Sequence, residues 1–274
     1  MRTLSNTARR MLSAPYALWS LLFILAPMLF VVYYAFTDKS GAFSLDNIKG
    51  LTGYAGVFGR SVWYSVAATV ICFIIAYPLA LCLAGMRERT QRTLIMLIML
   101  PMWMSFLIRT YAWLCLLQDQ GIVNGVLERI NLPRIHMINT PGAVILGMVY
   151  NYLPYMIVPL YNVLSKLDKS LLEASHDLGA NSAQSLMRVT LPLSLPGIAS
   201  GITMVFVPSI STFYISQKMS TNNISMIGDV IESQFITAYN YNMGAAISLV
   251  LMVLILVSMM VMRRFTDSDG EVVV

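Results

Sequence analysis

Charged side chains are scarce in this chain of 274 residues: Asp, Glu, Lys and Arg make up 11% of it, whereas apolar residues make up 57%. Hardly any Asp or Glu falls within the long apolar runs. A composition of this kind, with a mean hydropathy of +0.70, excludes an ordinary soluble domain. It predicts an integral membrane protein.

Cysteine and histidine are also rare, with three and two residues respectively. Cys72, Cys82 and Cys115 lie in apolar runs without a paired spacing, which predicts small buried residues rather than disulfides or a metal site. The sequence has no His-Glu-x-x-His pair, no Gly-x-Ser-x-Gly elbow and no Gly-x-x-x-x-Gly-Lys phosphate loop. We therefore expect neither an enzyme of these classes nor a cofactor bound by this chain.

Six apolar runs are each long enough to cross a hydrocarbon core of about 30 Å, which takes about 20 helical residues. Helices are the expected form because lipid offers no partner to unpaired backbone groups, so the predicted fold class is an all-α membrane protein. The predicted spans are residues 15–36, 62–84, 94–117, 142–164, 195–216 and 244–262. Several spans contain proline, which predicts bent helices: Pro27, Pro78, Pro101, Pro154, Pro159 and Pro208.

The distribution of basic residues predicts the orientation of the chain. Eleven of its 18 Lys and Arg residues fall in the two tails and in the second and fourth connections between spans. By the positive-inside rule, both tails and these connections face the cytoplasm. The chain then divides into a cytoplasmic tail at 1–14, a membrane domain at 15–262 and a second cytoplasmic tail at 263–274. The net charge of +5 reflects this topology rather than nucleic-acid binding.

The fourth connection, residues 165–194, carries the most ordered polar pattern in the chain. Asp168 is typical of the N-cap of a short helix running to Leu178, and Gly179 of the left-handed residue that ends it. Asn181 or the residue after it is then expected to begin a second helix, which Pro192 stops. The alternative is a solvated loop with an interfacial helix.

One side of the first helix is expected to be an apolar, small-residue stripe, because such residues recur at intervals of three to four. They are Leu171, Leu172, Ser175 and Leu178. Polar residues between them remain available to a partner: Glu173, His176 and Asp177.

The spacing of Glu173-Ala174-Ser175, Gly179, Val189 and Leu191-Pro192 resembles the cytoplasmic motif of importer permeases in the ATP-binding cassette family. Ser175 and Val189 stand where the family pattern has Ala and Ile. The resemblance implies a type I importer permease whose loop at 165–194, hereafter the coupling loop, docks on an ATPase subunit. The implied coupling residues are Glu173, Ala174, Ser175, Asp177, Gly179, Leu191 and Pro192.

The same resemblance implies the partners. They are a second permease, two ATPase subunits that carry ATP and Mg, an extracytoplasmic substrate-binding protein and the lipid bilayer of the bacterial inner membrane, with no nucleic acid. An ion-coupled secondary transporter is the alternative. It is less favoured because such proteins ordinarily keep a carboxylate or a broken-helix ion site near the midplane.

Three further stretches, residues 105–113, 150–171 and 226–231, resemble the permeases of spermidine and putrescine importers. This likeness implies a polyamine substrate. One departure leaves room for another small substrate, such as an amino acid: Tyr241-Asn242-Met243 stands where the family has Trp-Pro before Gly244-Ala245-Ala246.

A linear polycation is best held by carboxylates at its ammonium groups and by aromatic faces along its methylenes. The candidate residues of the substrate path are Trp103, Tyr111, Trp113, Asp119, Tyr150, Tyr152, Tyr155, Phe213, Tyr214, Asp229 and Glu232. The alternative is that the aromatic residues only mark the membrane interfaces and the acids are solvated.

Arg109 lies within the third predicted span, where a charged side chain is costly and usually faces protein or water. It is a gate candidate that could pair with one of three acids: Asp119, Asp229 or Glu232. Alternatively, it extends to the outer interface without further role. Short helices are also expected outside the spans, at 123–130 and 224–235.

Overall fold

The computed structural model describes residues 15–220 and 224–266. The predicted tail at 1–14 lies outside these residues, as do 267–274 of the second tail and 221–223 of the last connection. In the described ranges the regular structure is helical, with one isolated antiparallel bridge between Thr37 and Phe43.

Four helices are long and apolar enough to cross a membrane, and up to six spans result if each of two bent helix pairs counts as one. The four are α1 (Pro15–Ala35), α2 (Asp46–Ala84), α6 (Pro141–Leu164) and α12 (Tyr241–Thr266). They contain the predicted spans at 62–84, 142–164 and 244–262, and the first predicted span overlaps α1 to within one residue. The expectation of helical spans at these places is confirmed.

The third predicted span is not one helix. It divides into α3 (Glu88–Met99, continued by a 3₁₀ turn at Leu100–Trp103) and α4 (Phe106–Leu117). The chain bends by 87° between the segments Glu88–Trp103 and Phe106–Arg129. Pro101 lies in the 3₁₀ turn, and Met104 and Ser105 then adopt extended backbone angles. A short helix, α5 (Ile122–Arg129), follows α4 close to its predicted position.

The fifth predicted span is also interrupted. Helix α9 (Leu195–Ser211) ends at an extended Thr212, and a separate short helix, α10 (Tyr214–Met219), follows. Helix α11 (Ile227–Ile236) begins three residues later than predicted. Both spans were predicted to be uninterrupted because their sequences are uniformly apolar. A break in the backbone that leaves the hydropathy high cannot be detected from hydropathy.

Contacts within the chain define two structural units. The larger comprises Gly56–Asp229 with Leu254–Val274. Its core is built around α6, where Met148, Met156 and Leu160 are fully buried. Helix α9 approaches α6 closely through Gly201, since a Cβ there would lie 2.6 Å from Met156 Sδ. Small residues serve such helix contacts in membrane proteins.

The smaller unit comprises Met1–Ala55 with Val230–Val253. In its described part, Asn242 is 8% exposed and its side-chain amide donates to the backbone carbonyls of Thr37 at 2.7 Å and Tyr34 at 3.2 Å. The side chain therefore satisfies carbonyls at the end of α1. This contact gives a structural role to one of the residues that depart from the Trp-Pro pattern.

The prediction that all three cysteines are buried is wrong for two of them. Cys72 is buried, but Cys82 and Cys115 lie on helix faces that this chain leaves exposed. Helix continuity through proline is observed at Pro78, Pro154 and Pro208.

Candidate coupling loop and transport path

The first helix of the coupling loop, α7 (Lys169–Asp177), is fixed by local hydrogen bonds at both ends. Asp168 Oδ1 accepts from the Ser170 amide at 2.9 Å, and this bond lowers the pKa of the Asp168 carboxyl. At the other end Gly179 has φ +84°. The Gly179 amide donates to the His176 carbonyl and the Ala180 amide to the Ser175 carbonyl, which is a Schellman motif. Both predicted end residues are confirmed.

The second helix, α8 (Ser182–Leu193), begins with a capping box. Asn181 Oδ1 accepts from the Gln184 amide at 2.8 Å, and Gln184 Oε1 accepts from the Asn181 amide at 3.0 Å. The predicted start is therefore confirmed. Pro192, however, does not stop the helix, which ends at Leu193.

A π-helical turn at Leu186–Thr190 precedes the proline, and the Leu191 amide binds the Leu186 carbonyl. Pro192 thus follows the π-helical turn within α8, one residue before the end of the helix. The chain then bends by 67° between Leu193 and Leu195, where α9 begins.

Buried hydroxyl groups join the two helices of the coupling loop. Ser175 Oγ lies 2.7 Å from Ser185 Oγ and donates to the Leu172 carbonyl at 2.8 Å. Ser175 is 9% exposed and Ser185 is 3% exposed. Ser175, which stands where the family pattern has Ala, therefore has a hydrogen-bond partner ten residues further along the chain.

The outer surface of α7 differs from the predicted stripe. Leu172 and Ser175 face the interior, whereas Leu171 is 46% exposed and Leu178 is 88% exposed. The stripe is divided because Leu178 is the C-cap residue, so its side chain leaves the helical repeat. Met187 on α8 is also 71% exposed.

The implied coupling residues separate into two groups. Five are exposed and can meet a partner: Glu173, Ala174, Asp177, Gly179 and Pro192. The other two maintain the shape of the loop, because Ser175 bonds to Ser185 and the half-buried Leu191 packs against the main core.

A buried hydroxyl contact also connects the bend after α8 to a spanning helix. Ser194 is fully buried, its Oγ donates to the Leu191 carbonyl at 2.9 Å, and Tyr77 Oη of α2 lies 3.1 Å from the same Oγ. Since the serine proton is used, Tyr77 is the donor to Ser194. The end of the coupling loop is thereby hydrogen-bonded to α2 as well as being continuous with α9.

In the larger unit, Arg109 on α4 is 7% exposed, and its Nε and Nη1 atoms have no hydrogen-bond partner. The predicted ion pair with Asp119 is not formed, because Asp119 Oδ1 instead lies 2.8 Å from His136 Nδ1 at an exposed position. The alternative that the Arg109 side chain extends to the outer interface also disagrees with this burial.

The carboxylate of Asp229 is engaged in hydrogen bonds within the protein. Its Oδ1 accepts from Ser216 Oγ at 2.9 Å and its Oδ2 from the Met226 amide at 2.7 Å, which joins α10 to the start of α11. Gly228 packs directly on the end of α9, since a Cβ there would lie 2.6 Å from the Thr212 carbonyl oxygen. Glu232 belongs to the smaller unit, so its predicted pairing with Arg109 stays a prediction.

The aromatic candidates of the larger unit fall into separate pairs. Tyr111 and Tyr214 have ring centroids 6.4 Å apart, and the ammonium of Lys218 lies 5.6 Å from the first ring and 5.7 Å from the second. The other pairs are Trp113 with Tyr150 at 5.2 Å and Tyr152 with Tyr155 at 6.5 Å, while Trp103 and Phe213 are exposed. Over the described ranges, no group of three His, Cys, Asp or Glu side chains could hold a metal ion.

Residues 76–268 match the family model described as binding-protein-dependent transport system inner membrane component. The chain belongs to this family. Permeases of the family work with an ATPase and a periplasmic binding protein. The permease is therefore an inner membrane component of a bacterial transport system.

Among curated proteins, the permease is 35% identical over 274 residues to the spermidine/putrescine transport system permease protein PotB of Haemophilus influenzae, covering 96% of each chain. It is 35% identical to PotB of Escherichia coli, covering 90% of this chain and 93% of that one. It is also 31% identical to the inner membrane ABC transporter permease protein YdcU of Escherichia coli, covering 90% of this chain and 85% of the other.

Solved structures support the fold. A chain of a bacterial ABC transporter that imports the acidic polysaccharide alginate matches the permease with a TM-score of 0.75, 18% identity, and coverage of 96% of this chain and 97% of that one. A chain of the MetNI methionine ABC transporter matches with a TM-score of 0.54, 19% identity, and coverage of 77% and 95%. At these identities the likeness establishes the importer permease fold alone.

Sequence reasoning missed three residues of the permease. Ser185 and Lys218 were not identified, and Tyr77 was not connected to the loop. A local signal existed for Lys218, which follows Tyr214 by four residues and so shares its helix face. The other two contacts join residues ten and 117 positions apart, and no local pattern predicts them.

Proposed function

We propose that the chain is the permease subunit of an ATP-driven polyamine importer, with spermidine and putrescine as its substrates. The observation that carries this proposal is identity of 35% to a spermidine/putrescine permease along 96% of the chain. The aromatic pairs of the larger unit offer faces of the kind that bind ammonium groups and methylenes.

In this proposal the chain has no ATPase site of its own, and two cytoplasmic ATPase subunits carry ATP and Mg. The exposed residues Glu173 and Asp177 of α7 and its C-cap residue Leu178 would contact an ATPase. A second permease, identical or homologous, would complete the path, and an extracytoplasmic binding protein would deliver the substrate. Both termini would face the cytoplasm.

The coupling loop is built to move as one body. The Ser175–Ser185 bond joins its two helices, while a Schellman motif and a capping box close the turn between them. When ATP draws the ATPases together, displacement of the loop would tilt α9 directly and pull on α2 through Tyr77 and Ser194. Such rigid-body movement is a common basis of alternating access.

Arg109 is a gate candidate in this scheme. A buried guanidinium with two unpartnered nitrogens repels a passing polycation, so a conformation that pairs or exposes it would open the path. Trp113, Tyr152 and Tyr155 are proposed to line that path, whereas the bonds of Asp229 favour a structural role for that acid.

The experiment is uptake of labelled spermidine by the complete transporter in proteoliposomes that contain its ATPase, second permease and binding protein. We expect uptake to require hydrolysable ATP inside and to survive an ionophore that collapses ion gradients. Uptake that persists without ATP and stops with the ionophore would favour a secondary transporter. An excess of amino acids should not compete, and competition by them would reassign the substrate.

A further inference from the structure

The ammonium of Lys218 lies over two neighbouring tyrosine rings. Its Nζ is 5.6 Å from the centroid of Tyr111 and 5.7 Å from that of Tyr214. Both distances are within the range of about 6 Å in which a cation is attracted to a ring face. Phe106 supports the arrangement, with its ring centroid 6.1 Å from that of Tyr214. We call Tyr111 and Tyr214 the tyrosine pair.

Local structure brings these groups together. Tyr214 and Lys218 are four residues apart on α10, so they lie on the same side of that helix. Tyr111 comes from α4. The position of α10 is held by the bond between Ser216 and Asp229. The cation is thus placed by the short helix that follows the interruption of the fifth predicted span.

No carboxylate neutralises Lys218 within the described ranges, where the ion pairs of lysine and arginine involve Lys49, Arg92 and Arg134. The nearby Asp229 is engaged by Ser216 and the Met226 amide. The two ring faces are the close contacts observed for the ammonium within the described ranges. Tyr111 is 45% exposed in this chain, which leaves the tyrosine pair accessible to another cation.

Lysine ends in a primary ammonium on a chain of four methylenes. The end of a linear polyamine has the same chemistry, a primary ammonium on a short methylene chain. A site that holds the lysine ammonium will hold a polyamine ammonium with similar strength. The two ammonium groups cannot share the site because like charges repel.

We propose that the tyrosine pair is an alkylammonium site on the substrate path, that Lys218 is its resident occupant, and that a polyamine ammonium enters by displacing it. This inference rests on the proposed function. Because Lys218 is part of the chain and competes for the site, it weakens the binding of the substrate ammonium there. The substrate is therefore released along the path and not retained.

The test is the KM for spermidine uptake by the complete transporter. Lys218→Met keeps the length of the side chain and removes the competitor, so KM should fall about threefold to tenfold, as expected for one cation–π contact. In that background, replacing Tyr111 or Tyr214 by Leu should raise KM by a similar factor, and replacement by Phe should raise it less. Lys49→Met, which removes an exposed lysine, is the matched control and should leave KM unchanged.

A KM that is unchanged or raised in Lys218→Met, with normal amounts of complex in the membrane, would overturn the inference. So would equal effects of Leu and Phe at the tyrosine pair.

A binding measurement separates this inference from the proposed function. n-Butylammonium binding to the complex in nanodiscs, followed by saturation-transfer NMR, does not depend on spermidine transport. We expect stronger binding to Lys218→Met than to the unaltered complex, and loss of that gain when Tyr111→Leu and Tyr214→Leu are added. If butylammonium shows this pattern while spermidine is not transported, only the proposed function fails. Equal butylammonium binding by all variants overturns the alkylammonium site itself.

Discussion

The hydroxyl pair of Ser175 and Ser185 permits a quantitative test of how the coupling loop keeps its shape. The single proton of Ser175 is donated to the Leu172 carbonyl, so Ser185 is the donor to Ser175. Ser175→Ala leaves the hydroxyl of Ser185, which is 3% exposed, without its acceptor. An unpaired buried polar group costs about 1–3 kcal/mol, whereas replacing both partners by apolar groups is nearly neutral.

We therefore expect Ser175→Ala to destabilise the loop by about 1–2 kcal/mol, at the lower end if the freed hydroxyl finds a helix carbonyl. Ser185→Ala should cost less, because Ser175 keeps its bond to Leu172. The double variant should cost less than the sum of the two, with a coupling energy of about 1 kcal/mol.

The assay is hydrogen exchange of the coupling-loop amides in the complete transporter, measured for the double-mutant cycle. A change of 1 kcal/mol alters exchange from a locally opened state about fivefold. Ser182→Ala removes an exposed serine of the same helix and serves as the control, with no expected change. Additive effects of the two substitutions, or normal exchange in Ser175→Ala, would refute the view that this bond joins the helices.

Two further predictions concern helix ends. Because the Ser170 amide lowers the pKa of Asp168 in the folded loop, the cap's contribution is present above the ordinary carboxyl pKa of about 4 and is lost as pH falls through the lower folded value. The protection factors of the α7 amides, which take account of the slower intrinsic exchange at low pH, should therefore fall at acid pH, and Asp168→Asn should remove that fall; an unaltered pH profile of protection in this variant would contradict the assignment. Gly228→Ala should reduce the amount of folded permease, since its Cβ would lie 2.6 Å from the Thr212 carbonyl oxygen, whereas Gly125→Ala, with open space around it, should not; equal yields in detergent would contradict the close packing.

Local signals in the sequence were sufficient for the ends of the coupling-loop helices. Asp168, Gly179 and Asn181 act through bonds to residues at most five positions away, and each has the predicted role. The effect of Pro192 was not predicted, because it depends on the π-helical turn before it. That turn is a property of the backbone that residue types alone do not determine.

The spans illustrate a different limit. Hydropathy located every apolar run but gave no sign that the chain turns by 87° after Trp103 or stops being helical at Thr212. These breaks place α10 and its Lys218 beside Tyr111. The candidate path was therefore predicted by residue type, while the arrangement of its cations and rings required the tertiary structure.

The coupling claim is tested most directly by the number of spermidine molecules imported per ATP hydrolysed by complexes that carry Gly179→Val. Gly179 has φ +84° and no atom within 4 Å of an added Cβ, so the substitution acts through backbone strain alone. A left-handed conformation costs an ordinary residue about 1–2 kcal/mol, whereas Asn adopts it routinely. We predict that Gly179→Val assembles in the membrane but loses most ATP-dependent uptake, and that Gly179→Asn keeps it. A fully assembled Gly179→Val transporter that imports spermidine at the unaltered ratio would contradict the account.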